Sequence, residues 1–269
     1  MTGNPVLIFA AGQRCGSTLV QRLLSSHPDV LIWGEHAGQL RPIIAAVSRM
    51  KVWSAEDGMD ARADFEGGGY QSFMANLTPE GTWIDEAMRQ FLRTLFADRA
   101  AALGKSVWGL KEVRYGLPEA RALHYLFPET VVIHLVRDPR DILCSLDVWE
   151  REYGGWWRRR DTESTVRDWY RVADSFLHCT PEMSPAVLRL RYEDLTVDPV
   201  ATSKLLGAHT SLDPAKFDLD VFGRRIHLTG PHGERPRSIA DWSSLSPSLR
   251  ALLDDDDIRT VAAACGYDL

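Results

Sequence analysis

Residues 5–19, Pro-Val-Leu-Ile-Phe-Ala-Ala-Gly-Gln-Arg-Cys-Gly-Ser-Thr-Leu, pass from an unbroken apolar run through a glycine-bracketed polar loop into an amphipathic helix. An apolar run of this length suits a strand buried on both faces, and such strands belong to parallel sheets covered by helices. Gly12 and Gly16 allow a tight backbone approach, and Ser17 or Thr18 can cap the helix that carries Leu19, Val20, Leu23 and Leu24. Free N–H groups and the helix dipole then converge where an anion would sit. The stretch reads as a phosphate cradle, or more plainly as an ordinary strand-to-helix turn.

Known nucleotide signatures fit poorly. A Walker loop needs one more residue between its glycines and a lysine before the hydroxyl, and Gly12-Gln-Arg-Cys-Gly16-Ser-Thr has neither. No third glycine completes a dinucleotide fingerprint, and Cys15 to Arg22 is one residue too long for a phosphatase loop. A P-loop kinase is therefore the weaker alternative. A second anion-binding element is legible at Val131-Val-Ile-His-Leu-Val-Arg-Asp-Pro, where Pro139 opens a helix. Arg137 ends the strand and Ser145 lies about two turns into that helix, so a guanidinium fork and a hydroxyl can face one terminal phosphate. A surface ion pair of Arg137 with Asp138 or Asp141 is the competing reading.

The chain walk predicts strands near 5–11, 106–110, 130–136 and 186–191. Helices are expected over 17–26, 39–50, 84–103, 139–150, 163–178, 199–208 and 247–264, with loops at 52–82 and 218–245. The alternating order implies an α/β fold, P-loop-like and three-layered, with a central, mostly parallel sheet flanked by helices. With 269 residues and no linker-like segment, residues 1–269 read as a single domain. A net charge of −6 argues against a nucleic-acid partner. The first apolar run is too short to span a membrane. Four cysteines without framework spacing suit reduced thiols in a cytoplasmic protein. No histidine pair has metal-ligand spacing, and Asp254–Asp257 reads as a solvated helix face.

Four segments carry a resemblance. Gln13-Arg-Cys-Gly-Ser-Thr-Leu19 with His27-Pro28, Thr130 to Ser145, Val187 to Leu195 with Pro199, and the tail with Trp242 and Cys265-Gly-Tyr267 together resemble sulfotransferases that use 3′-phosphoadenosine 5′-phosphosulfate (PAPS). Cys15 departs from the small hydroxyl residue usual in that loop. The motif pattern is closest to tyrosylprotein sulfotransferases.

The resemblance implies PAPS as donor, PAP as product and no metal, since a sulfuryl group carries less charge than a γ-phosphate. It implies that Arg14, Cys15, Gly16, Ser17 and Thr18 surround the 5′-phosphosulfate and that Arg137 and Ser145 hold the 3′-phosphate. Tyr192 joins the donor site, and Arg235, Arg237 and Ser238 close a late basic loop over it. Glu35, in Gly34-Glu35-His36, corresponds to a catalytic glutamate; His36 is the rival base, and a helix cap is the structural alternative for Glu35. Lys111 is the second cation beside Arg14, or else a solvated lysine paired with Glu112. Arg41 matches an arginine that faces acidic residues around a target tyrosine, so an acidic tyrosine-containing peptide is the leading acceptor. A carbohydrate, lipid or small-metabolite hydroxyl stays open, as does a homodimer. Trp149, Trp156, Trp157, Trp169 and Tyr170, among Arg158–Arg160, form either an acceptor wall or core packing.

Overall fold

The computed structural model describes residues 3–153, 159–223 and 242–269, with the side chains of 152–161 excepted. Chain order runs β1 (Val6–Ala10), α1 (Ser17–Ser26), β2 (Val30–Trp33), α2 (Leu40–Ala55), α3 (Asp57–Gly68), α4 (Gly81–Leu92), α5 (Asp98–Ala102), β3 (Val107–Glu112) and α6 (Leu117–Leu126). It continues through β4 (Val131–Val136), α7 (Pro139–Tyr153), α8 (Arg159–Leu177), β5 (Val187–Arg191), α9 (Tyr192–Val197), α10 (Pro199–Thr210), α11 (Pro247–Arg250) and α12 (Asp256–Ala264).

Among the described residues, five strands form one sheet in the order β2-β3-β1-β4-β5, and every pairing is parallel. The expected architecture is therefore present, with a sheet wholly rather than mostly parallel. β1 lies at its centre, with Ile8 opposite Lys111 on one side and Ile133 on the other. All five β1 residues are buried, which explains why the strand is apolar on both faces. Because the strands are parallel, all their carboxyl ends open on one edge, and the strand order reverses direction at β1. Ligands of open α/β sheets bind at such a reversal.

His134 on β4 is fully buried, its ring stacked 4.1 Å from Phe176, and its Nδ1 donates to the Phe9 carbonyl at 3.2 Å. Burial pushes its pKa down to about 3, so it is neutral in the fold.

Several elements differ from the sequence expectation. Segment 52–82 is not a loop throughout, because α2 runs to Ala55 and α3 follows at once. The Gly-rich end of α3 and its charges mask a helix that buries only Gly58 and Ala61. β2, four residues long, and α6 were not anticipated; α6 starts where the Glu119 carboxylate accepts from the Gly116 N–H at 2.7 Å. The stretch 84–103 is interrupted by a π-helical turn at Arg93–Ala97. Likewise 247–264 splits, because Asp255 caps α12 by accepting from the Asp257 and Ile258 N–H groups. The acidic run is thus a helix start, where carboxylates meet the positive dipole end.

Candidate active site

The loop after β1 is built as its glycines require. Gly12 and Gly16 have φ of 79° and 87°, and Arg14 between them sits at 65°. A side chain at Gly16 would place its Cβ 2.3 Å from the Tyr192 ring, so the loop and the start of α9 meet without room for a methyl group. Gly16 itself occupies the cap of α1 and no side chain caps the helix, contrary to the expectation that Ser17 or Thr18 would do so. The first N–H groups of a ten-residue helix are thereby left for an anion.

Arg14 and Arg137 join the two anion-binding segments. Arg14 Nε donates to Ser145 Oγ at 2.9 Å, and its guanidinium lies 4.8 Å from the Trp149 ring centre. Arg137 Nη1 donates to the Arg14 carbonyl at 2.9 Å, and its guanidinium stacks 4.3 Å over the Tyr192 ring. It also stands 3.6 Å from the buried Asp141, so the ion pair weighed as its competing role is formed while the side chain faces the loop. Asp138 instead pairs with Arg140 at 2.7 Å. Behind this cluster Glu193 accepts from the Asp138 N–H at 3.0 Å and from the Tyr267 hydroxyl at 2.8 Å, which ties the chain's tail to the Arg-Asp-Pro turn.

Cys15 makes a different contribution from the one expected. Its side chain is fully buried and its thiol donates to the Ala11 carbonyl, so only its backbone can face an anion. Burial pushes this thiol well above the ordinary range, although Arg137 pulls the other way. Ser17 is also buried, whereas Thr18 is partly exposed.

One strand over, beyond the ends of β2 and β3, lies a carboxylate held between two cations. Glu35 receives Lys111 Nζ at 2.6 Å and Arg114 Nη1 at 3.1 Å. Burial alone would raise its pKa, but hydrogen bonds and charge from Lys111, then from Arg114, outweigh that and hold the carboxyl below its ordinary value. Lys111 lies inside β3 and is buried, so it is neither solvated nor paired with Glu112. Neighbouring strand residues point to opposite faces, which is why Glu112 goes elsewhere.

His36 turns away from this pair. Its Nε2 meets the Tyr115 hydroxyl at 2.9 Å, and that hydroxyl also accepts from the Leu40 N–H at 2.9 Å. Burial pushes the Tyr115 pKa up to about 12, so the phenol keeps its proton. Arg41, expected to face an acceptor, ion-pairs with Glu119 at 2.7 Å and donates to the Arg114 carbonyl.

Trp169 is fully buried, with its indole N–H on the Arg137 carbonyl at 3.0 Å, and is core packing. Trp149 of that cluster lies against the guanidinium of Arg14. Arg235, Arg237, Ser238, Trp156, Trp157 and Arg158 lie outside the described residues. Arg114, Glu112 and Tyr115 were missed by sequence reasoning; the signal available was their position just past a strand that ends at the ligand-binding edge.

The glycine-bracketed loop, the Arg14–Arg137 pair and the cation-flanked Glu35 thus gather along one edge of the sheet. The chain belongs to the sulfotransferase family, whose model matches residues 5–215. Carbohydrate sulfotransferase 5 of Mus musculus is 32% identical over 318 positions, covering 97% of this chain and 78% of that protein. The sulfotransferase domain of the Synechococcus PCC 7002 olefin synthase matches with a TM-score of 0.56 at 20% identity, over 99% of this chain and 96% of that one. The sulfotransferase domain from the curacin biosynthetic pathway matches with a TM-score of 0.52 at 14% identity, over 99% of each chain. These solved structures share the P-loop-like α/β fold. Among the described residues, no three His, Cys, Asp or Glu side chains gather as a metal site, and no helix is long and apolar enough to cross a membrane.

Proposed function

We propose that this protein, a single sulfotransferase domain over residues 1–269, moves a sulfuryl group from PAPS to an acceptor hydroxyl, with a carbohydrate as the leading acceptor. The observation that carries the chemistry is the ionised Glu35, 2.6 Å from Lys111 on the sheet edge that also bears the Arg14–Arg137 loop. In transfer, the acceptor oxygen forms a bond to sulfur as its proton passes to Glu35. The bond from sulfur to the bridging oxygen breaks, and that oxygen leaves with the electron pair on the 5′-phosphate of PAP. Arg14 and Lys111 supply positive charge where that negative charge grows, and the α1 N–H groups and Arg137 suit the two phosphates. His36, occupied by Tyr115, is the weaker base.

The carbohydrate acceptor is favoured by the name of the 32% identical mouse relative. The tyrosyl acceptor rests on motif pattern alone, because the arginine it leaned on has Glu119 as its partner. Reduced thiols suit a cytoplasmic location; all four cysteines are free. The test is incubation with radiolabelled PAPS and a panel of glycans, acidic tyrosine peptides and small phenols, with thermal melts beside it. Label on glycans and stabilisation by PAP without metal are expected. Label on the peptides alone would replace the acceptor, and stabilisation by ATP with Mg²⁺ but not by PAP would overturn the donor.

A further inference from the structure

Beyond the end of β3, Arg114 is fixed at both its ends. Its Nη1 bridges two carboxylates, Glu35 Oε2 at 3.1 Å and Glu112 Oε1 at 2.9 Å. Its main-chain carbonyl accepts from two further guanidiniums, Arg41 of α2 and Arg171 of α8, the latter at 2.7 Å. Arg41 is held in turn by Glu119 of α6, and Arg171 by Asp168 at 2.9 Å. Two helices and one strand therefore converge on this residue, with α6 behind Arg41.

Glu112 supplies the anchor. It is fully buried, and its oxygens accept from the Gly38 N–H at 2.7 Å and the Val113 N–H at 2.9 Å as well as from Arg114. A buried carboxylate that accepts from three donors is fixed in place. Through Gly38 it holds the turn that follows Glu35, and through Arg114 it holds the Glu35 carboxylate, so the same anion positions Glu35 from two directions.

Among the described residues Lys111 has no such anchorage beyond Glu35. An ammonium on a flexible stem suits a charge that can turn toward the transferred group, whereas a guanidinium clamped by a buried carboxylate does not move readily. We infer that Arg114, locked by Glu112, Arg41 and Arg171, is the positioning residue that keeps the Glu35 carboxylate aimed when Lys111 is drawn to the sulfuryl group. This inference rests on Glu35 being the base. It gives Arg41 a role within the site, through the Arg114 carbonyl. The charged and titratable groups facing Glu35 are Lys111 and Arg114 from the β3 end, with Glu112 behind them and His36 beside it in the chain.

The experiment follows the Glu35 carboxylate by carbon NMR in protein labelled at the glutamate side-chain carboxyl, assigned by its absence in Glu35→Gln. Transfer from labelled PAPS to the same acceptor panel is measured in parallel. Arg114→Gln is expected to raise the Glu35 titration by about one pH unit, since it removes one of two adjacent cations. It should lower kcat roughly 10- to 100-fold with little change in the KM for PAPS. Arg114→Lys, which retains the charge and guards against a misfolded glutamine variant, should restore most of the titration but only part of kcat. An unshifted Glu35 titration in folded Arg114→Gln, or a shifted one with undiminished kcat, would overturn the inference while leaving the base in place. Full transfer by Glu35→Gln would instead overturn the base itself.

Discussion

Arg14 Nε and Ser145 Oγ, 131 residues apart in the chain, are joined by a hydrogen bond of 2.9 Å. With the Arg137 guanidinium on the Arg14 carbonyl, it joins the loop after β1 and the first half of α7 into one surface. A phosphate contacted from this surface should therefore depend on Arg137 more than on any single loop hydroxyl.

Arg137→Ala is expected to weaken PAP binding roughly 10- to 100-fold, the scale of lost hydrogen bonds to a charged group. Adenosine 5′-phosphosulfate lacks the 3′-phosphate and should lose far less. Calorimetric titration of both ligands decides the matter, and equal losses would remove Arg137 from the 3′-phosphate.

Glu35→Gln should lower transfer by about 10²- to 10⁴-fold, the contribution typical of a positioned base, while PAP binding persists. The pH profile carries a sign. Lys111 and Arg114 hold the Glu35 pKa below its ordinary 4.5, so the group is already ionised above that value. Its contributions to activity and to stability are present above the unfolded-state pKa and vanish only as pH falls through the lower folded value. A kcat/KM profile whose acid limb lies above pH 5 would contradict this.

Gly16→Ala should destabilise the fold by about 1–3 kcal/mol, because φ is 87° and the new methyl would meet the Tyr192 ring at 2.3 Å. In a Tyr192→Ala background the steric part disappears and the backbone strain stays. The added cost of Gly16→Ala should be visibly smaller there, and a urea-unfolding double-mutant cycle measures the difference. Strict additivity would mean that the two residues are not in contact.

His134 predicts an acid sensitivity of the whole fold. Its neutral form is buried with a pKa near 3, whereas the unfolded imidazole titrates near 6.5. Between those values the unfolded state binds the extra proton, so stability falls as pH falls, by up to about 1.4 kcal/mol per pH unit from this group. His134→Phe should flatten unfolding free energy against pH in that window, although it leaves the Phe9 carbonyl without its donor and lowers the plateau.

The strands and the loop after β1 were legible because the signals for both are local. An unbroken apolar run gives β1, and Pro139 after Arg137-Asp138 gives the start of α7. Glu35 and Lys111 were legible as candidates, but their partners were not, since the pairing crosses 76 residues. Strand alternation could have excluded Lys111 with Glu112, because adjacent residues of a strand face opposite ways. Arg41 misled for the opposite reason. Its spacing from Glu35 is a sequence fact, yet its partner Glu119 arrives from α6, a helix whose periodicity is too short to read. Cys15 was read as a loop residue and is one, but the turn sends its thiol into the core.

β1 occupies the middle of the sheet, yet Val6 pairs with Gly109 and Val131. Once made, β1 therefore has no strand partner in this sheet until more than a hundred further residues have followed it. At ordinary synthesis rates that is a wait on the order of ten seconds for a wholly apolar segment. Production of this enzyme should accordingly respond to chaperone supply and to slowed growth temperature far more than its folded stability would suggest.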